Sequence, residues 1–258
     1  MTRRQKIVLE VCVDSVASAL AAQDGGADRV ELCANLNEDG TTPSAGLIEV
    51  TRQNLSIGLH VLIRPRSGNF CYSEFEFETM KKDIAVARAL GADGVVIGLL
   101  NANGAIAFEW TRQLVVLARP LSVTFHRAFD VVAEPLKMLE ALVALGIERV
   151  LTSGQAQTAL AGLSLLTQLA EQAAGRIRLM PASGINAQNI QQILAATGVN
   201  EIHVGSAVTT ITNDSATQLF AAARRLVDRQ KVSTLRQMPE LSKCIKKILK
   251  AKIFLDNE

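Results

Sequence analysis

Four times along this chain a helical pattern ends in glycine, an acidic or polar residue follows two places on, and a short apolar run begins. The stretches are Gly26-Ala27-Asp28-Arg29-Val30, Gly91-Ala92-Asp93-Gly94-Val95, Gly146-Ile147-Glu148-Arg149-Val150 and Gly198-Val199-Asn200-Glu201-Ile202. Glycine at such a place suits the left-handed cap that closes a helix, and the run after it suits a buried parallel strand. The stretches recur at spacings of 52 to 65 residues, the length of a pair of βα units. Filling the gaps predicts strands near 7–13, 29–33, 59–64, 94–98, 122–126, 149–152, 178–181 and 201–205. Helical patterns fall near 15–24, 44–54, 74–90, 108–118, 135–145, 157–173 and 186–196, and another near 215–227 closes the ring. Asp14, Ser44, Ser73 and Pro135 supply helix-start chemistry. Eight strand–helix alternations predict an α/β chain folded as a (β/α)8 TIM barrel. A doubly wound open sheet is the competitor, but the first strand is followed by Asp14-Ser15-Val16, without a Gly-rich fingerprint.

The charge is divided. Residues 1–228 carry 19 Lys/Arg against 22 Asp/Glu, whereas 229–258 carry 8 against 3. The expectation is a barrel domain over 1–228 and a basic C-terminal extension over 229–258. In the extension Leu241, Cys244, Ile245, Ile248 and Leu249 fall at helical spacing, which predicts an added amphipathic helix. A net charge of +2 argues against a nucleic-acid partner, and no run approaches the ~18 apolar residues of a membrane span. The N-terminus lacks the long apolar run of a signal peptide, and the four cysteines form no C-x-x-C pair. A reduced, cytoplasmic protein is expected.

In a barrel, reactive groups stand at the C-terminal ends of strands and in the loops beyond them. Side chains two apart share a face, so the first two strands turn Glu10 with Cys12 and Glu31 with Cys33 inward. The third strand adds His60 and Arg64, the fifth Thr124 and His126, the sixth Thr152 and Ser153, the eighth His203. Glu10, Glu31 and Arg64 can be read as a structural ion-pair network. His126 ends its strand facing inward, where an imidazole titrates near neutrality or binds metal. His60, at the start of its strand, reads as structural. The loop after the third strand carries Arg64 and Arg66, suited to grip an anion. Turns at Ser153-Gly154, Ser183-Gly184 and Gly205-Ser206 offer backbone N–H groups for a phosphate, or merely make tight turns.

Several segments together resemble the CutC family of copper homeostasis proteins. They are Glu10-Val11-Cys12, the stretch Gly25 to Cys33, Gly40-Thr41-Thr42-Pro43-Ser44, Ile63 to Gly68, Val123-Thr124-Phe125-His126-Arg127-Ala128-Phe129-Asp130 and Arg149-Val150-Leu151-Thr152-Ser153-Gly154. The likeness runs from about residue 7 to 206. It departs at Pro181-Ala182-Ser183-Gly184-Ile185 and His203-Val204-Gly205-Ser206-Ala207-Val208, and it does not extend to the tail. The resemblance implies a cytoplasmic (β/α)8 barrel, a homodimer or homotetramer, that binds Cu(I) through Cys12 and Cys33. Thiolates are soft ligands that select Cu(I), and Cys71 in the third-strand loop is a possible third donor. Strand stagger predicts that Cys12 and Cys33 stand at different heights. Both can equally be plain buried thiols.

A second reading is an enzyme acting on a small anionic or phosphorylated metabolite. Arg64 and Arg66 would hold the anion and the turns at Ser183-Gly184 and Gly205-Ser206 a phosphate. His126 with Glu31 or Asp130 would do the acid–base work of an isomerase or lyase.

Overall fold

Parallel strands form the centre of the computed structural model, which describes residues 6–212 and 224–242. They are β1 (Val8–Val13), β2 (Arg29–Leu32), β3 (Gly58–Leu62), β4 (Gly94–Ile97), β5 (Ser122–Phe125), β6 (Arg149–Thr152), β7 (Arg178–Pro181) and β8 (Glu201–Val204). Each pairs in parallel with its sequence neighbour from β1 to β7, and β8 returns to pair with β1. β7 and β8 lie side by side and complete the ring without a ladder between them. The helices between strands are α1 (Val16–Asp24), α2 (Ala45–Asn54), α3 (Glu74–Ala89), α4 (Phe108–Ala118), α5 (Pro135–Ala144), α6 (Leu163–Ala173) and α7 (Ile190–Thr197). This is the (β/α)8 TIM barrel that the alternation predicts.

The repeated glycine-x-acid punctuation has a structural meaning. Asp28 accepts the backbone N–H of Leu9 at 2.9 Å, Asp93 that of Leu59 at 2.8 Å, and Glu148 that of Val123 at 2.8 Å. Each acid precedes an even-numbered strand and caps the start of the odd-numbered strand before it. Asn200 does the same for β1 with its carbonyl, which accepts Val8 N–H at 2.8 Å. The donors left open at the bottom of a parallel sheet are thereby satisfied.

Helix starts follow their caps. Ser44 accepts from Leu47 N–H, and Ser73 and Glu76 form a reciprocal capping box on α3. Ser15, not Asp14, caps α1. The helix expected from 157 begins only at Leu163. Residues before it are held as a loop against β6, and a Cβ on Gly154 would lie 2.3 Å from the Gly162 carbonyl oxygen. The helix expected from 186 begins at Ile190.

The eighth helix differs most from expectation. Where a helix over 215–227 is predicted, Arg224–Val227 is a strand, β10, antiparallel to β9 (Thr209–Thr212). Residues 213–223 lie outside the described residues. The chain then enters α8 (Arg229–Arg236), capped by Asp228, and a short turn of helix, α9 (Pro239–Ser242). Val232 and Leu235 of α8 and Leu241 of α9 are buried in the main core. Val232 packs so tightly on α1 that a Cβ on Gly25 would meet it at 2.5 Å. Arg236 donates to the Ile7 carbonyl and pairs with Asp28. Residues beyond 228 thus supply a helix that packs beside α1. Of the expected amphipathic tail helix, Cys244, Ile245, Ile248 and Leu249 lie outside the described residues.

Candidate functional site

Alternation turns Arg29, Glu31 and Cys33 of the β2 segment to one face, and register sets their heights. Glu10 stands level with Arg29 and His203, and Cys12 level with Glu31. Cys33 is one layer above Cys12, which is the predicted stagger. Their side chains nonetheless converge, and the two sulfurs lie 3.8 Å apart. Cys33 is buried and Cys12 partly open.

Below the sulfurs the barrel floor is ionic. Glu10 and Glu201 are buried, as are Arg29 and Arg149. Arg29 donates through Nε to Glu10 and through Nη2 to Glu201 at 2.7 Å. Arg149 Nε reaches Glu201 at 3.1 Å, its Nη1 donates to the Ser122 hydroxyl at 2.6 Å, and Arg178 approaches Glu201 from outside at 3.3 Å. The ion-pair network expected among Glu10, Glu31 and Arg64 is therefore built differently: Arg29 is the partner of Glu10, and Arg64 lies elsewhere. Burial pushes the Glu10 carboxyl up, but Arg29 and His203 outweigh it and hold Glu10 well below the carboxylate range.

His203 links this floor to the thiols. Its Nδ1 lies 2.7 Å from Glu10 Oε1 and its Nε2 3.7 Å from Glu31 Oε2. Burial disfavours its charge, yet Cys12 and the two glutamates raise it well above an ordinary histidine. Cys12 is lowered to about 6, first by its hydrogen bond with Cys33 and further by His203. Cys33 is pushed well up by the same bond, and burial with the neighbouring Cys12 pushes Glu31 up. The pair thus favours a Cys12 thiolate accepting from the Cys33 thiol, beside a Glu31 carboxyl pushed towards its neutral form. Among the described residues, Cys12, Glu31 and Cys33 are the group of ligating side chains whose donor atoms all lie within 4.8 Å of one another. Cys71, the possible third donor, is not in that group, whereas Glu31 is.

The remaining expected residues sit in other arrangements. His126 ends β5 in space that Gly98 provides; a Cβ there would lie 2.2 Å from the imidazole. Its Nδ1 accepts the Ala128 N–H at 3.0 Å, and burial first, then Arg64, depresses it to about 3. The ring is neutral at neutral pH, which corrects the expectation that it titrates there. Asp130 does not share a hydrogen bond with it. Its oxygens accept from the Thr152 hydroxyl at 2.5 Å, from Ser153 N–H at 2.9 Å and from Arg127 at 2.8 Å, fixing the Ser153-Gly154 turn. Arg66 spends its N–H groups on Ser67, Asn69 and Cys71 of its own loop and on Glu76 at the start of α3. Arg64 donates to the carbonyls of Glu38, Gly40 and Gly68. Ser183 and Gly184 both adopt positive φ, at 74° and 67°, and the Ser183 hydroxyl donates to the Gln157 carbonyl. Gly205 sits next to Cys12, whose Cβ would be 3.9 Å from a Cβ built there, and Ser206 follows it in a short 3-10 turn.

Three residues central to the floor, Arg29, Arg149 and Glu201, were not anticipated. The signal was parity: each opens a strand on the same face as the residues two and four further on.

A sequence model of the CutC family matches residues 7–208. The chain belongs to the CutC family. It is 53% identical over 196 residues to the human protein described as a copper homeostasis protein cutC homolog, covering 76% of this chain and 72% of that one. A CutC family protein of Chromobacterium violaceum is 52% identical over 199 residues, 77% of this chain and 81% of the relative. The crystal structure of the Streptococcus agalactiae CutC protein superposes with a TM-score of 0.73 at 36% identity, covering 77% of this chain and 98% of that one. The match ends at 208, where β9 begins, so the β9–β10 hairpin and α8 lie beyond it. No helix among the described residues is long and apolar enough to cross a membrane.

Proposed function

We propose that this CutC protein binds Cu(I) between Cys12 and Cys33, with a Glu31 carboxyl oxygen, its proton displaced by the metal, as the third donor. The observation that carries the reading is the 3.8 Å separation of the sulfurs, reached despite their stagger, with Glu31 inside the same group. Two metal–thiolate bonds of about 2.3 Å spanning that separation enclose an angle of about 110°, whereas a linear pair would need about 4.6 Å. A bent, three-coordinate site is favoured. Soft thiolates select Cu(I), and the hydrogen bond from Cys33, helped by the neighbouring His203, keeps Cys12 ready as an anion. Copper is cargo here, consistent with the copper homeostasis named for the human relative. A reducing cytoplasm, which keeps both thiols free, is the compartment that suits the site. A homodimer or homotetramer is the proposed assembly, which light scattering measures.

Anaerobic titration with Cu(I) against a competing chelator tests the site. Wild type should take up one equivalent, and Cys12→Ser and Cys33→Ser should each lose that uptake. Equal affinity in all three chains would sink the proposal.

A further inference from the structure

The sulfurs of Cys12 and Cys33, 3.8 Å apart, are already in van der Waals contact. They differ in access. Cys33 is 1% exposed and packs with Leu62 and Val96 in a small apolar cluster, whereas Cys12 is partly open. Two glycines leave room around them. A Cβ built on Gly205 would touch only Cys12 Cβ, at 3.9 Å, among the described residues, so that side of Cys12 is uncovered. A Cβ built on Gly40 would stand 3.6 Å from the Cys33 sulfur and 2.9 Å from Leu62, so a side chain there would crowd the buried thiol. Closing the gap to a bond of about 2.05 Å moves each sulfur about 0.9 Å, a rotation of about 30° about each Cα–Cβ bond.

We propose that the pair is a peroxide-reactive dithiol, in which hydrogen peroxide oxidises Cys12 and Cys33 then closes an intramolecular disulfide. In the first step the Cys12 sulfur attacks one peroxide oxygen and the O–O bond breaks. Sulfur is oxidised and oxygen reduced, and the thiol proton ends on the departing hydroxide as water, leaving Cys12 as a sulfenic acid. In the second step the Cys33 sulfur attacks the Cys12 sulfur and the S–O bond breaks. The hydroxide departs with the Cys33 proton as a second water, and the S–S bond forms. The oxidant has to reach only the open sulfur. The second step is intramolecular between groups already in contact, so the burial of Cys33 does not obstruct it. A dithiol reductant returns both thiols by exchange. Neither step uses a metal, so the reaction stands or falls separately from copper uptake by the same sulfurs.

The test treats metal-free, full-length protein with a small excess of hydrogen peroxide, blocks remaining thiols under denaturing conditions and maps the digest by mass spectrometry. The Cys12 and Cys33 peptides should appear joined, about 2 Da below the sum of the two, and dithiothreitol should separate them. Cys33→Ser removes the resolving thiol, so Cys12 should be captured as its sulfenic acid by dimedone. In Cys12→Ser, capture at the buried Cys33 should be about tenfold slower or more than capture at Cys12 in Cys33→Ser. Each variant exchanges one sulfur for oxygen, and the result in wild type does not depend on either. A wild-type chain with no link between Cys12 and Cys33, or with Cys12 carried on to a sulfinic acid instead, would overturn the proposal. Equal capture rates in the two variants would overturn the order of attack.

Discussion

Burial disfavours a charged His126 ring, and Arg64 stands close enough to oppose the charge. Its value therefore falls from 6.5 to about 3 on folding. As pH drops, the unfolded chain protonates first, so the stability from a neutral His126 is fully present above about 6.5 and is lost as pH falls towards 3. The loss is about 1.4 kcal/mol per pH unit, or about 2 kcal/mol between pH 7 and pH 5. That figure depends on the unfolded value alone, provided the folded one lies below about 4. His60 is likewise depressed to about 3, and His203 shifts the opposite way, so the raw pH curve mixes several groups. His126→Asn isolates one of them, because the Asn carbonyl can still accept the Ala128 N–H and cannot be protonated. Urea unfolding of both chains at pH 7, 6 and 5 should show wild type losing about 2 kcal/mol relative to the variant. Parallel curves would mean that His126 titrates alike in folded and unfolded chains, and the reasoning from burial would fail.

Glu201 answers three arginines from β2, β6 and β7. Glu201→Gln leaves the buried Arg29 and Arg149 without that charge and should cost about 3–5 kcal/mol in urea unfolding; a loss under about 1 kcal/mol would show the floor relaxes freely. Gly98→Ala places a methyl group 2.2 Å from the His126 ring and should destabilise by about 1–3 kcal/mol. Adding His126→Asn should recover part of that loss, and strict additivity of the two changes would refute the contact.

The barrel was readable because its punctuation is chemical as well as statistical. Asp28, Asp93 and Glu148 were visible as the acid after a glycine, and each caps a strand. Of the final helix expected over 215–227 only 224–227 is described, as strand β10, and a helix beside α1 comes at Arg229–Arg236. No local pattern marks out α8 in advance; the burial of Val232 and Leu235 does. The site was legible in parity and illegible in partnership. Alternation put Glu10, Cys12, Glu31 and Cys33 inside, but which arginine meets Glu10 depends on register between β1, β2 and β8. Arg29 and Glu201, read only as strand openers, prove to be the charges that hold the floor.

The arginines around the barrel are all turned away from the thiols. Arg29 is directed downward onto Glu10 and Glu201, and Arg149 onto Glu201 and Ser122. Arg66 is consumed by its own loop, and Arg64 by the carbonyls of Glu38, Gly40 and Gly68. None of the four donates to either sulfur. The charge that does reach the thiols comes through His203, and it is tethered to Glu10 on one side while holding the Cys12 proton off on the other. Glu10 is thus the residue on which both halves depend. Anchored by Arg29, it fixes the ring of His203, and that ring adds to the Cys33 hydrogen bond in lowering Cys12.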